Sequence, residues 1–264
     1  MVKPFFRLLT ELSSRKSISR ITGKFAKSAM SRSLIPWFAK TYRIRLEDAE
    51  KQWHEYRTLN DFFTRKLKLS LRPIAPGAET LASPVDAAIT GMGPIQSGQL
   101  LNIKGQNYTI GQLLNQSPRI VNYTDGFYFV LYLSPTDYHR IHTPISGKII
   151  EKEHISGKVY PVNEFGLRHM RTVLSRNERL VTYIQHEFGE LAVVKVGAMN
   201  VSSIQYVNPL LETLNKGDEL AYFEFGSTVV LLLENHTFTS KPDLRVGSKV
   251  RMGEALGLLH AKNE

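Results

Sequence analysis

The chain has 264 residues, no cysteine and a formal net charge of +10, and its hydrophobic and charged fractions, 42% and 22%, are typical of a soluble globular protein. Without cysteine, disulfides, thiolate metal sites and a cysteine nucleophile are excluded. No apolar run approaches the ~20 residues that a membrane-spanning helix needs. The first residues also lack the long apolar stretch of a signal peptide, so we expect neither feature.

The excess positive charge lies entirely in the first sixth of the chain. Residues 1–45 contain eleven Lys and Arg residues and a single acidic residue, Glu11, whereas the rest of the chain has equal numbers of bases and acids. Apolar side chains such as Phe5, Phe25 and Trp37 recur in the same segment. A basic helix with aromatic rings suits an anionic membrane surface, where each nearby Lys or Arg contributes about 1 kcal/mol. A helical hairpin packed on the core and a nucleic-acid patch are the alternatives, but no basic, aromatic groove extends such a patch elsewhere.

The first 70 residues have a helical pattern. The segment RLEDAEKQWHEYRTLNDFFTRKLKL, residues 45–69, combines mixed charges and helix formers with few breakers. Thr58 is placed to cap a helix that contains Phe62 and Phe63. Pro73 and Pro76 end the helical region, because proline cannot continue a helix.

From about residue 80 the pattern changes to short strands. Runs of β-branched and aromatic residues alternate with Gly, Pro, Asn and Asp, as in GFYFVLYLSP and TVVLLLEN. Such spacing predicts a β-rich barrel or sandwich, with one short helix at 110–115. We therefore predict an α+β fold with a helical, membrane-facing N-terminal region at 1–75 and a β-rich body at 76–264.

The densest polar cluster follows the apolar run FYFVLYL and reads LSPTDYHRIHTP, residues 133–144. His139 and His142 are three positions apart, a spacing that can chelate zinc, but a zinc site needs a third protein ligand and no third-ligand motif is evident. Acid–base catalysis is a second interpretation, because imidazole titrates near neutrality. A third is that both rings are satisfied by loop backbone.

Gly226-Ser227-Thr228 directly precedes the apolar run VVLLL. A turn is the simplest interpretation of these residues. The chain has no G-x-S-x-G elbow of a serine hydrolase, but a glycine before the serine leaves room for the serine Oγ to reach its own preceding carbonyl. His142 would take the hydroxyl proton, and Asp86, in SPVDAA, would orient the imidazole; an Asx-turn is the alternative role for Asp86.

These segments occur together with several others in a recognisable order. They are LNDFFTRKL (59–67), SPVD (83–86), IKGQNY (103–108), YLSPTDYHRIH (132–142), RNER (176–179), VGAMNV (196–201) and FGST (225–228). From about residue 35 to the end, the chain resembles the phosphatidylserine decarboxylase family, the pyruvoyl-dependent enzymes of prokaryotic type. It departs from the pattern at Phe225, where the family usually has Leu or Gly, and at Ser202, where it often has Gly.

The resemblance implies a self-processing proenzyme. Cleavage between Gly226 and Ser227 would give a long chain, 1–226, and a short chain, 227–264, which remain together as a heterodimer. Ser227 would become the pyruvoyl cofactor, with Asp86 and His142 as the base dyad for this step. The long edges of a β-rich body are compatible with further dimerisation.

The resemblance also implies the reaction and its location. Phosphatidylserine would be decarboxylated to phosphatidylethanolamine and CO₂ through a Schiff base with the pyruvoyl group, and His139, or second His142, would return a proton. No metal and no nucleic acid are implied. The substrate is a membrane lipid, which agrees with a peripheral location at the cytoplasmic face of the cell membrane.

Two other functions remain open from the sequence. One is a zinc hydrolase that uses His139 and His142, which EDTA would inhibit. The other is a non-catalytic barrel module bound to membranes through its helices, which would run as one intact band on a denaturing gel.

Overall fold

The structure, a computed structural model, describes residues 23–103, 106–160, 162, 170, 172–198, 204–224 and 227–262. In these residues the chain forms many strands and a few short helices, so the predicted α+β class with a β-rich body is confirmed. Residues 1–22 of the predicted helical region, which include five of its basic residues, lie outside the described residues.

The helices are short. The α-helices whose full bounds lie among the described residues are α1 (Ile35–Thr41), α2 (Leu59–Phe63), α3 (Ile110–Leu113) and α4 (Val173–Arg176). Single 3₁₀ segments lie at Ala29–Leu34, Leu46–Asp48, Trp53–Glu55, Leu69–Leu71 and Pro118–Asn122. Among the described residues, none of the helices combines the length and the apolar character needed to cross a bilayer.

The strands are numbered β1 to β16 in chain order. Their bounds are Thr80–Ala82, Ala87–Pro94, Gln99–Ile103, Gln106–Thr109, Phe127–Leu133, Arg140–His142, Gly147–Ile155, Arg179–His186, Gly189–Val196, Ile204–Tyr206, Thr213–Leu214, Glu219–Phe223, Ser227–Leu233, Phe238–Ser240, Lys249–Val250 and Ala255–Leu259.

Eight of the strands form one antiparallel sheet in the order β11-β7-β8-β9-β13-β5-β2-β15. Strand β13 pairs with β5 on one side and β9 on the other. Its seven residues are all buried. Val230 and Leu232 belong to the hydrophobic cluster on one face, and Val229, Leu231 and Leu233 to the cluster on the other. The uninterrupted apolar run therefore reflects burial on both faces of the sheet.

Different elements cover the two faces. Helices α3 and α4 and strand β4 pack on the first face. Two small sheets, β1-β16-β14 and β10-β12-β6, contribute the apolar side chains that pack on the second. The large sheet is open among the described strands, since its edge strands β11 and β15 do not pair with each other, so of the two predicted forms, barrel or sandwich, these strands do not form the closed barrel. The body is a layered arrangement of packed sheets.

The described N-terminal residues have a separate hydrophobic cluster built from α1, α2 and their neighbours, including Ile35, Phe38, Phe62 and Phe63. The predicted cap is confirmed, because Thr58 Oγ1 accepts a hydrogen bond of 3.0 Å from Asp61 N. The helical pattern predicted over 45–69 is realised only in part, as the 3₁₀ segments at Leu46–Asp48 and Trp53–Glu55 and as α2. Between these turns, the chain at 48–50 pairs with 66–68 through two backbone hydrogen bonds around an antiparallel bridge between Ala49 and Leu67.

Candidate functional site

Ser227 is the first residue of the central strand β13. Its side chain is fully buried, and its Oγ atom has no hydrogen-bond partner in the part of the chain that the structure describes. It is paired with Leu133, the last residue of β5, and shares a sheet face with Val229. An unpaired buried hydroxyl costs about 1–3 kcal/mol, so this position is better explained by chemistry than by stability. Gly226 lies outside the described residues.

His139 lies beside the segment that leads to Ser227. Its backbone carbonyl accepts a 3.1 Å hydrogen bond from Phe223 N, four residues before Ser227. Its ring is fully buried, with its centroid 4.0 Å from that of Phe63. Nδ1 lies 2.8 Å from the Asp137 carbonyl oxygen. Since a carbonyl only accepts, the ring proton is on Nδ1 and the lone pair is on Nε2.

The lone pair of His139 is uncommitted. Nε2 is buried and has no partner among the described residues. Burial lowers the pKa of His139 from 6.5 to about 3, and the positive charge of Arg65 also lowers it. The imidazole is therefore neutral at physiological pH and has a basic nitrogen available.

His142 has both ring nitrogens engaged. Nδ1 lies 2.7 Å from the Gly217 carbonyl oxygen, and Nε2 lies 3.0 Å from the Tyr138 hydroxyl. By the same tautomer argument, Nδ1 donates to Gly217 and Nε2 accepts from Tyr138. Burial lowers the pKa of His142, so it too is neutral at physiological pH.

Asp86 has a different partner from the one predicted. Its carboxylate forms a two-pronged ion pair with Arg72, with Oδ1 2.8 Å from Arg72 Nε, and Oδ1 also accepts a 2.8 Å bond from Met252 N. The predicted hydrogen bond between Asp86 and His142 is absent from the described contacts. The negative charge of Asp86 nevertheless favours the protonated form of His142 and partly offsets the effect of burial on its pKa.

A cavity of about 510 Å³ is lined by Asp86 and by Tyr138, the partner of His142, whereas Ser227, His139 and His142 do not line it. Its lining includes Tyr132 and Ser134, which flank the partner of Ser227, together with Asp86 and Tyr138. Basic side chains outnumber acidic ones in the lining, with Arg65 among them. The cavity therefore lies at the end of the sheet where β13 begins, and its charge suits an anionic molecule.

Sequence reasoning identified Ser227, His139, His142 and Asp86 but missed the groups that hold them. The Tyr138 hydroxyl hydrogen-bonds with His142, and the Arg72 guanidinium forms an ion pair with Asp86. Tyr138 is within the histidine motif and Arg72 directly precedes Pro73, but neither spacing shows which side chain they contact. In the described part of the chain, no group of three or more His, Asp or Glu side chains is arranged to hold a metal ion.

A buried serine at the start of a central strand, two neutral histidines and a cavity lined mostly by basic side chains are the features of an enzyme that acts on an anionic substrate. Residues 59–258 match the family model described as phosphatidylserine decarboxylase. The chain is also 42% identical over 256 residues to the phosphatidylserine decarboxylase proenzymes of Bacillus thuringiensis (strain Al Hakam) and of Bacillus cereus (strains 03BB102 and B4264), covering 97% of this chain and 97% of each relative.

The chain therefore belongs to the phosphatidylserine decarboxylase family. This confirms the family predicted from the motifs at 59–67, 132–142 and 225–228. The decarboxylase class and the zymogen character predicted with it are confirmed as well.

Proposed function

We propose that this chain converts phosphatidylserine to phosphatidylethanolamine and CO₂ with a pyruvoyl group that it makes from Ser227. The family membership establishes the decarboxylase class. The observation that supports the role of Ser227 is its buried Oγ, which has no hydrogen-bond partner among the described residues and stands at the first position of β13.

Maturation begins with an attack of Ser227 Oγ on the carbonyl carbon of Gly226. The C–N bond of that peptide breaks as the C–O bond of an ester forms, and the serine nitrogen takes up the proton. Loss of the Ser227 Cα proton then breaks the Cβ–Oγ bond and releases chain 1–226 with a free carboxylate. The resulting dehydroalanine at the start of chain 227–264 takes up water and releases ammonia, leaving the pyruvoyl group.

His142 and Asp86 serve this cleavage. His142 accepts the hydroxyl proton of Ser227 after its Nε2 separates from the Tyr138 hydroxyl. The protonated ring is stabilised by its bond to the Gly217 carbonyl oxygen and by the charge of Asp86. Asp86 also joins the two products of cleavage, because it belongs to the long chain and binds the backbone of Met252 in the short chain.

His139 serves the decarboxylation. The pyruvoyl group supplies an electron sink for the electron pair that remains when CO₂ leaves. His139 Nε2 takes up a proton that the substrate ammonium gives up on binding and then delivers it to the carbon that has lost CO₂, a role that its lone pair and its position beside residue 223 support. The dry surroundings of the ring protect that carbon from competing reactions.

The substrate is a lipid, and we propose that the N-terminal region at 1–75 docks the enzyme on the cytoplasmic face of the cell membrane as a peripheral protein. Support comes from large apolar side chains that are exposed in this region, above all Met30 and Trp37, which are 77% and 64% exposed. Exposed basic side chains, among them Lys24 and Lys40, alternate with them. This combination suits an anionic bilayer surface.

The intact mass of the purified protein tests the self-cleavage. We expect two fragments, one beginning at residue 227 with a ketone that borohydride reduces, and activity that EDTA leaves unchanged. Ser227→Ala should give one uncleaved, inactive chain, whereas the matched variant Ser240→Ala, in the same fragment, should cleave normally. An active wild-type sample in which residue 227 is still an ordinary serine would refute the proposal.

A further inference from the structure

Arg65 is a buried guanidinium that nothing in the self-cleavage explains. Its side chain is only 5% exposed, and its Nε and Nη1 atoms have no hydrogen-bond partner among the described residues. Its Cζ atom lies 5.2 Å from the centroid of the Phe62 ring, which supports one face of the group. Burial lowers the pKa of Arg65. Burying an arginine whose N–H donors lack acceptors costs free energy, and an anion bound to those donors would offset that cost.

The surroundings of Arg65 supply the space and the charge for such an anion. It lines the cavity of about 510 Å³, in which six lining side chains are basic and three are acidic. Two of the acids are already paired, Asp86 with Arg72 and Asp48 with Arg45. In the described chain Lys249 and Arg251, which are exposed, form no direct ion pair, so positive charge extends from the mouth of the cavity to the buried Arg65.

The cavity lining contacts one of the histidines, because Tyr138 lines the cavity and its hydroxyl lies 3.0 Å from His142 Nε2. Tyr132 and Ser134 line it, and Leu133 between them pairs with Ser227. The charge of Arg65 reaches His139, since it contributes to lowering the pKa of that ring. An anion bound to Arg65 would cancel this contribution and make protonation of His139 easier.

We infer that Arg65 binds the phosphate of the phospholipid head group inside this cavity, an assignment that rests on the proposed function. Phosphatidylserine offers two oxyanions, a phosphodiester and a carboxylate. An arginine that held the carboxylate would stabilise the ground state, because this negative charge disappears as CO₂ forms. Holding the phosphodiester positions the substrate without this penalty, and the guanidinium fork matches two phosphate oxygens.

Binding to the uncleaved Ser227→Ala protein tests the assignment independently of the pyruvoyl chemistry. The probes are glycerophosphoethanolamine, which has the phosphodiester but no carboxylate, L-serine, which has only the carboxylate, and inorganic phosphate. We expect calorimetry to show glycerophosphoethanolamine binding that weakens about tenfold to hundredfold when Arg65→Gln is added, by loss of charged hydrogen bonds. Arg57→Gln, which removes an exposed arginine outside the cavity, should leave the affinity unchanged.

Three results would overturn the assignment. One is glycerophosphoethanolamine binding that is indifferent to Arg65→Gln. Another is Arg65-dependent binding of L-serine but not of glycerophosphoethanolamine. The third is Arg65-dependent binding of inorganic phosphate at least as tight as that of the diester, which would mark a site for free phosphate.

A second pair of measurements separates this inference from the self-cleavage. In the cleavable protein, Arg65→Gln should still give both fragments but raise the KM for phosphatidylserine about tenfold or more. If Arg65→Gln does not fold, Arg65→Lys replaces it, with an expected severalfold loss because an ammonium cannot form two parallel bonds. An unchanged KM in a folded variant would contradict the inference, whereas failure of the wild-type protein to cleave would contradict only the proposed function.

Discussion

His139 carries the clearest pH signature of any single residue described here. In the folded chain, burial lowers its pKa from 6.5 to about 3, so between these values the unfolded chain binds a proton that the folded chain does not. The neutral ring therefore contributes its full stability above pH 6.5. As the pH falls from 6.5 towards 3, the free energy of unfolding decreases by about 1.4 kcal/mol per pH unit for this residue.

The substitution His139→Gln should make that decrease shallower by about the same amount, because an amide does not titrate. Urea unfolding of the uncleaved Ser227→Ala protein between pH 7 and pH 4 measures it. His260→Gln, at an exposed histidine, is the matched control. A His139→Gln protein with the same pH slope as its parent would show that this ring is not held neutral by burial.

The sequence was sufficient to propose the candidate site residues, but it did not show which groups each of them contacts. The motif YHRIH and the Gly-Ser-Thr tripeptide located His139, His142 and Ser227, because each chemistry needs a particular residue type at a fixed place. Asp86 was expected to bind His142 and instead binds Arg72. The sequence is compatible with more than one partner for the Asp86 carboxylate. Which partner it binds depends on how the loop before β1, which contains Arg72, packs against the body.

At the scale of elements, β13 explains how the chain can be cut without falling apart. The strand is bonded to β5 and β9 along its length and buried on both faces. After cleavage at its first residue, the strand keeps these contacts. We therefore expect the 38-residue fragment, residues 227–264, to remain bound to the long chain under native conditions.

The substitution Leu232→Ala tests the contribution of this strand. Leu232 is fully buried in the cluster beneath α3 and α4, so its truncation should lower the free energy of unfolding by about 2–5 kcal/mol. The same change at Leu258 on β16, which is 52% exposed, should cost less than about 1 kcal/mol. Urea unfolding of both variants in the uncleaved Ser227→Ala background measures the difference, and equal losses would contradict a central role for β13.

The sequence predicted most strands but not the course of the helical region. The run FYFVLYL forms β5, and α3 lies within the helix predicted at 110–115. In both segments the local preference of the residue types and the burial of their side chains favour the same structure. The segment at 45–69 had helical residue types but folded into single turns. Here the pairing of Ala49 with Leu67 decided the structure, and contacts between residues so far apart override local propensity.

At the scale of the whole molecule, an enzyme that acts on a membrane lipid must hold its cavity close to the bilayer surface. The basic cavity is lined by residues of the N-terminal region, Arg43 and Arg65, and by Lys249 and Arg251 of the C-terminal segment. Met30 and Trp37 project their apolar side chains into solvent within the same N-terminal region. We propose that this region rests on the membrane and brings the head group of the lipid within reach of the cavity.

Vesicle binding tests this proposal. The double variant Met30→Ala/Trp37→Ala should bind vesicles that contain phosphatidylserine about tenfold more weakly or worse, because two large side chains would no longer enter the bilayer. Raising the salt concentration should weaken binding of the parent protein as well, since part of the attraction is between Lys or Arg and anionic lipid. Sedimentation with vesicles of phosphatidylcholine alone, and with added phosphatidylserine, separates the apolar and the electrostatic contributions.

The matched control is Leu210→Ala, which removes another strongly exposed apolar side chain, 86% exposed, but from the β-rich body. We expect it to bind vesicles like the parent protein, which would show that position and not exposure alone determines docking. If instead Leu210→Ala loses binding and the Met30→Ala/Trp37→Ala variant does not, the membrane contacts the opposite part of the molecule. The cavity would then have to receive its lipid by another route than through the N-terminal region.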